Sequence, residues 1–418
     1  MLPLQNILYI FLLNFNGSIE LFTYLLYDLF VGILAVLDFK EIEIFEEKKI
    51  KMRKIKIGII GTGVGIRTHL KGFLNFQDES EVYAISGSSL EKSKRFADEY
   101  NIPVACANYK ELCDIEELDL VCITAPNKFH KEMLEYAISK NKNIICEKPM
   151  VNNAKEAEEL NEVVKDYSKI IIINHQLRFN PYIIEIKNLI DNGILGKVYN
   201  VTLNQQGTGF ANENAPWSWS FNAEEGGGVR LAMASHLTDL IEYWFNSREV
   251  INVMATMNPI TKERLDSNKK IQKVNASTTC NALIKLKDEL TIQYSINAGS
   301  YTQNRFDITI FGDKGELTFS LDDKLKLYMR SSIGEANRII PEGVYQDEID
   351  NKVSIFSGSY RYLAPKLIKA IQTNNYDEIN VAATPKDSIY CLKILDAIKE
   401  SANNGRSISF GEETNSYF

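Results

Sequence analysis

Ile55-Lys56-Ile57-Gly58-Ile59-Ile60-Gly61-Thr62-Gly63-Val64-Gly65-Ile66 is the stretch whose reading decides the fold. Four of its first six residues are isoleucine, a β-branched run that reads as a buried strand. Glycines then break the run, and Ile66, Leu70, Phe73 and Leu74 follow at helical spacing. Strand, glycine turn and helix form the context in which GxGxxG binds a dinucleotide. Gly61 permits the tight turn, and Gly63, flanked by Thr62 and Val64, lets backbone amides approach a pyrophosphate. The third glycine is out of register, because Ile66 stands in its place and Gly65 precedes it. Close helix–strand packing must therefore rest on Gly65 or on a small shift of the helix.

Working outward, a second strand over 81–86 ends in Gly87-Ser88-Ser89. NAD-specific folds place an acid for the ribose about 20 residues past the glycine turn. None is present here. Ser88, Ser89 and Lys92 suit a 2′-phosphate instead, which tilts the cofactor from NAD towards NADP. Ser88 and Glu91 also spell a capping box for a helix over 90–100. A fully apolar strand over 118–124 runs into Ala125-Pro126-Asn127 and then His130. The next helix buries Phe129, Met133, Leu134, Ala137 and Ile138 and leads to Asn143-Ile144-Ile145-Cys146-Glu147-Lys148-Pro149. A lysine at the carboxyl end of a parallel strand sits where open α/β sheets bind ligands. Strands alternating with helices of this length predict a doubly wound parallel sheet.

The 418 residues suffice for two domains. A net charge of −8 and lysines spread along the chain argue against nucleic acid as a partner. Six cysteines without a CxxC pair read as buried thiols of a reducing compartment. The four histidines, His69, His130, His175 and His236, are too scattered for a metal site, so no metal is expected. Residues 1–38 are strongly apolar and carry no Lys or Arg, which rules out a signal peptide. Residues 21–37 approach the length of a membrane span, but Asp28 lies in their middle. The favoured reading is an upstream extension before a working start at Met52 and a cytoplasmic protein; a membrane tether is the competing one.

The second half begins after a helix over 155–167 and a strand over 170–173. The domain crossing is placed here, giving a leader over 1–51, a dinucleotide-binding domain over 52–174 and a substrate and oligomerisation domain over 175–418. Asn180 can cap the next helix, Pro181 suits its first turn and Gly193 its end. Beyond Gly196 the apolar period becomes two, predicting strands over 197–206, 277–287, 290–298, 305–311 and 316–320. Short turns such as Lys287-Asp288-Glu289 imply antiparallel pairing, and helices over 364–373 and 386–402 are expected on the back of that sheet. Between the first two strands lie Trp217-Ser218-Trp219, the run Gly226-Gly227-Gly228, and a helix carrying His236. Three glycines would let backbone approach a ligand. Asp239, three residues on, could hydrogen-bond to His236.

Six stretches in order make the chain resemble the oxidoreductase family named after glucose–fructose oxidoreductase, inositol dehydrogenase and the rhizopine-catabolism protein (Gfo/Idh/MocA). They are Ile57 to Leu70, Thr124-Ala125-Pro126-Asn127 with His130, Glu147-Lys148-Pro149, Arg178-Phe179-Asn180-Pro181, Gly226-Gly227-Gly228 with His236 and Asp239, and Phe311-Gly312-Asp313-Lys314-Gly315. The resemblance implies an N-terminal Rossmann domain and a C-terminal α/β domain on a large, mostly antiparallel sheet, whose open face forms homodimer or homotetramer contacts. It implies NAD or NADP as cofactor, held by Gly61 to Ile66, Ser88, Ser89, Thr124, Pro126, Asn127, His130, Glu147 and Lys148. The substrate would be a sugar, cyclitol or related polyol. Family members commonly supply a Lys, an Asp and a His four residues after that Asp. Lys148 and His236 match, but the Asp position falls on Ala232. Lys148 and His236 are therefore the expected catalytic pair. His175, Arg178, Tyr182, Trp219, Arg230 and Asp239 are the candidates to contact substrate. The alternatives are a cofactor-binding regulator without redox chemistry and a redox-assisted glycosidase.

Overall fold

The computed structural model describes residues 52–246 and 248–411. The apolar leader lies outside the described residues. Among those described, no helix is long and apolar enough to cross a membrane.

Strands β1 (Ile55–Ile60), β2 (Ser80–Ser86), β3 (Val104–Cys106), β4 (Leu120–Ile123), β5 (Asn143–Cys146) and β6 (Ile171–Ile173) form one parallel sheet in the order β3-β2-β1-β4-β5-β6. Ile57, Ile59, Val121, Ile144 and Ile145 have no exposed surface, because helices cover both faces. The order reverses between β1 and β4, and the ladder runs one residue past each strand there. Thr124 N donates to the Ile60 carbonyl at 2.8 Å, Glu147 N to that of Ile123 at 2.8 Å, and Asn174 N to that of Cys146 at 2.7 Å. Gly61, Thr124, Glu147 and Asn174 thus stand in a row at the carboxyl edge, at the switch point where such sheets bind ligands.

The second sheet has nine strands: β7 (Val198–Gln206), β8 (Val250–Asn258), β11 (Thr279–Leu286), β12 (Thr291–Asn297), β13 (Arg305–Gly312), β14 (Gly315–Ser320), β15 (Lys324–Met329), β16 (Ala336–Ile339) and β17 (Ile408–Ser409), with β9 (Glu263–Leu265) and β10 (Ile271–Lys273) as a separate hairpin. Its pairs are antiparallel except β7 with β12. The five expected strands are present. Those without clean alternation, β8 and β15 above all, gave no period-two signal. On β11 the inward Cys280, Ala282, Ile284 and Leu286 are buried, whereas Leu283 on the other face is 48% exposed.

The late helices correct an expectation. Ile355–Thr373 does not pack on the back of the second sheet. Its Tyr360, Leu363, Ala364, Leu367 and Ile368 join the core of Ile55, Ile57, Ile59, Leu70 and Phe73 on the first sheet. Pro385–Asn404 enters beside β6, where Ile173 N donates to the Ala383 carbonyl at 2.8 Å, and then runs along β8. Both helices are amphipathic, and an apolar stripe does not state which sheet it will cover.

Candidate active site

The glycine turn meets its expectation in two ways. Gly61 adopts φ +104°, and a Cβ there would lie 2.6 Å from the Thr124 carbonyl oxygen. A Cβ on Gly65 would fall 2.5 Å from Thr124 Oγ1 and 2.8 Å from Ile59 Cγ2. Gly65 thus supplies the close packing that the out-of-register glycine left open. The helix also shifts, beginning as a π-helical segment over Gly65–Leu70 before Lys71–Phe73 tightens to α. Gly63 is different, since a Cβ there would meet nothing within 4 Å. That open cradle, with Thr62 and Val64 beside it, fits a dinucleotide diphosphate. Thr124 is committed to the fold, donating from Oγ1 to the Ile60 carbonyl at 2.7 Å.

At the end of β2 the helix cap is Ser89, not Ser88: its Oγ accepts from Lys92 N at 3.2 Å. Ser88 and Lys92 are exposed. Across the cleft, Asn127 Nδ2 donates to the Gly226 carbonyl at 3.3 Å, and Lys128 pairs with Glu225 at 3.1 Å. Pro126 leads into the short turn that presents Asn127. His130 has no exposed surface. Its Nδ1 lies 3.0 Å from the Pro149 carbonyl oxygen and its Nε2 2.8 Å from that of Ala125. It staples the two strand ends together and is closed to a cofactor.

Glu147 and Lys148 sit at the end of β5. Glu147 Oε1 accepts from Asn174 Nδ2 at 2.7 Å and lies 2.9 Å from His69 Nε2. Burial pushes its carboxyl up, but the hydrogen bond and electrostatic pull of His69, the Lys148 charge and the Asn174 hydrogen bond together hold it below the usual value. Half-buried Lys148 donates from Nζ to the Ala232 carbonyl at 2.7 Å. Burial lowers its pKa, and the Glu147 carboxylate opposes that. Ala232 belongs to a second π-helical segment, Arg230–Ala234, which leads into the helix Ser235–Phe245 that carries His236. The lysine ammonium therefore rests on the turn just before His236.

His236 is 6% exposed, and its Nδ1 is buried without a hydrogen-bond partner among the described residues. Burial, then the charges of Lys148 and His175, drive its pKa well below 6.5, so the ring is neutral. His175 packs edge-on against it with ring centroids 5.9 Å apart, and Phe356 lies against its other side at 5.0 Å. The structure thus brings Lys148, His175 and His236 together.

Several expected substrate contacts are not available. Asp239 does not bond to His236. It holds Arg178, accepting from Nε at 3.0 Å and from Nη2 at 2.7 Å, while Glu242 and Asp387 crowd the same guanidinium. Spacing of three keeps the two residues on one helix face and permits the bond, but the buried Arg178 guanidinium takes the Asp239 carboxylate instead. Burial raises the Asp239 carboxyl to about 6 against the pull of Arg178. Its Oδ2 lies 3.7 Å from His175 Nδ1. Arg230 pairs with Asp396 at 3.2 Å, and Tyr182 is 1% exposed and packs on Phe319. Trp219 remains 38% exposed. The glycine run also differs from expectation. A Cβ on Gly227 would meet the Ser220 carbonyl oxygen at 2.5 Å, and one on Gly228 the Ser277 amide at 2.9 Å. The close approach is made by the chain's own backbone and not by a ligand. The residue missed altogether is His69, whose signal was its place one helical turn past the glycine turn.

Residues 55–175 match an oxidoreductase family described by its NAD-binding Rossmann fold, and residues 187–410 match that family's C-terminal alpha/beta domain. An uncharacterized oxidoreductase of Synechocystis sp. is 27% identical over 281 residues, 67% of this chain and 75% of that protein. Glucose-6-phosphate 3-dehydrogenase of Bacillus subtilis is 22% identical over 357 residues, 85% of this chain and 98% of its own length. Among solved structures, levoglucosan dehydrogenase in complex with NADH and levoglucosan matches in fold with a TM-score of 0.74 at 19% identity, covering 86% of this chain and 100% of that one. With both halves matched in order and the glycine cradle open to a dinucleotide, the chain belongs to the Gfo/Idh/MocA family of NAD-binding oxidoreductases.

Proposed function

We propose that the protein is an NAD(P)-dependent dehydrogenase or reductase acting on a secondary alcohol or ketone of a sugar, cyclitol or related polyol. The observation that carries this reading is neutral His236, its Nδ1 without a hydrogen-bond partner among the described residues, beside the turn on which the Lys148 ammonium rests. Oxidising CH–OH requires a group to take the hydroxyl proton and a cation to favour the developing alkoxide. His236 is the base, because burial keeps its ring neutral at ordinary pH. Lys148 is the cation, and two of its three ammonium protons remain for substrate oxygen once Ala232 has accepted one. His175 closes the site behind His236. A bound nicotinamide would supply the hydride acceptor or donor, with Gly61 to Ile66, Asn127 and Glu147 as the groups that hold the cofactor.

Ser88 and Lys92 favour NADP over NAD, a preference read directly from the two dissociation constants. The sequence division at 174 remains our assignment of the two domains. The outer face of the second sheet, where Met254 (41% exposed) lies opposite Leu283, is the surface we assign to self-association. The decisive experiment titrates purified protein with NADH and NADPH by fluorescence, then screens sugars and cyclitols for absorbance change at the nicotinamide band. Cofactor binding without turnover across a broad panel would favour the regulator instead. Full turnover in both Lys148→Ala and His236→Ala would sink the assigned pair.

A further inference from the structure

We propose that Tyr360 and His69 form a positioning relay for the site: the tyrosine hydroxyl anchors the imidazole at Nδ1, and the imidazole holds the Glu147 carboxylate beside Lys148. The atoms are in line. Tyr360 Oη lies 2.9 Å from His69 Nδ1, and His69 Nε2 lies 2.9 Å from Glu147 Oε1. All three residues are buried, at 1%, 0% and 8% exposure. A carboxylate can only accept, so the ring presents an Nε2 proton to it. In the Nε2–H tautomer Nδ1 is a lone pair, which the Tyr360 hydroxyl satisfies by donating. The relay then runs from Tyr360 O–H to Nδ1 and from Nε2–H to Oε1. Burial pushes the Tyr360 hydroxyl well above its ordinary range, so it keeps the proton it must donate.

The fit of the ring is built in. A Cβ on Gly72 would lie 2.3 Å from Tyr360 Cδ1, and Phe73 meets the same ring edge-on at 5.7 Å. Glu147 spends Oε1 on both His69 and Asn174. Its side chain keeps 11% exposure, so the second oxygen is left to the site. The helix that brings Tyr360 also brings Phe356, one turn earlier, against the His236 ring at 5.0 Å. One helix face from the C-terminal half thus touches both the relay and the assigned base. This is how the docking of Ile355–Thr373 onto the first sheet reaches the chemistry.

The proposal rests on the reading that a dinucleotide sits at the glycine turn beside Glu147, and its test separates the two. Tyr360→Phe keeps the ring and removes only the donor. NADH affinity is measured by fluorescence titration, and the His69 tautomer by long-range nitrogen–proton spectra of histidine-labelled protein, which has only four rings to assign. In wild type His69 reads as the Nε2–H tautomer, and in Tyr360→Phe NADH binding weakens about fivefold, the worth of one hydrogen bond. In a His69→Gln background, where an amide donates to Glu147 without help, adding Tyr360→Phe leaves NADH affinity unchanged. A merely structural tyrosine would lower Tm in both backgrounds and leave NADH affinity unchanged. The relay is overturned if wild-type His69 carries a proton on Nδ1, or if Tyr360→Phe weakens NADH equally in both backgrounds. The same titrations are run with NADPH; wild-type protein that binds neither dinucleotide would defeat the dinucleotide reading, and the tautomer would then decide the relay alone.

Discussion

Two glycine turns in this molecule each lead into a π-helical segment, with buried His69 inside the first segment and buried His236 just after the second. The first turn serves His69 and the second His236. Their outcomes are opposite. His69 is paired at both ring nitrogens, by Tyr360 and Glu147, whereas His236 has a buried Nδ1 with no partner among the described residues. The turns differ in the reverse sense. At the first, Gly63 opens onto empty space, and at the second the backbones of Ser220 and Ser277 press on Gly227 and Gly228. Where the chain satisfies itself, residue and turn are structural. Where it leaves a polar atom or a cradle unfilled, a ligand is the expected partner. A π-helical segment inserts an extra residue per turn and re-aims the side chains after it, as at His236.

The contrast is broken or sharpened by substitutions. His236→Gln is expected to lower turnover about 10²- to 10⁴-fold, the usual worth of a general base, with NADH affinity unchanged. His69→Gln should keep most of the turnover; an equal loss in both variants would erase the distinction. Arg178→Ala leaves Asp239 and Glu242 buried without their cation. It should cost about 3–5 kcal/mol of folding stability by denaturant titration. A loss of turnover at full stability would instead return Arg178 to the substrate contacts. Gly227→Ala should cost about 1–3 kcal/mol, because its Cβ meets backbone that cannot rotate aside. Gly63→Ala should leave stability within about 0.5 kcal/mol of wild type and weaken NADH, since its Cβ enters the space meant for the cofactor.

The smallest effect is one of pH. Oxidative turnover needs neutral His236, so it holds above the folded pKa and is lost as pH falls through that value. Because the pKa is well below 6.5, the acid limb of the oxidative profile should lie below 6.5 too. Reduction needs the protonated ring, so it should decline as pH rises through the same point. Folding stability moves in the same sense as oxidation. Below 6.5 the unfolded chain binds protons that buried His175 and His236 refuse, costing up to about 1.4 kcal/mol per pH unit for each ring. An acid limb above 6.5 would assign it to another group.

Much of the fold was legible because the periods were clean. Ile55 to Ile60 with its glycines, the alternating strands after Gly196, and the Asn180-Pro181 cap all appear where their patterns put them. Of the helix Ile355–Thr373 only 364–373 was legible as helix, and not as a neighbour of β1, since amphipathicity names a face and not its partner. Within the candidate site, Lys148 was singled out by its place at a strand end, and the pairing of Lys148 with His236 came from the family resemblance. Arg178, Arg230 and Asp239 carried the right chemistry for substrate contacts. Only three dimensions reveal that Asp239 and Asp396 already occupy the two arginines.

By itself the sequence determined the local elements and the glycine turn, because periodicity, glycine and chain position act over a few residues. The tertiary structure alone decided which polar groups neutralise one another and which are left unpaired. His69 and His236 are both buried histidines that follow a glycine turn, one within a π-helical segment and one just after it. What separates them is that Tyr360, from 291 residues further along the chain, closes one ring and nothing closes the other among the described residues. Pairing between buried polar atoms is set by distances of about 3 Å, and sequence spacing does not encode them.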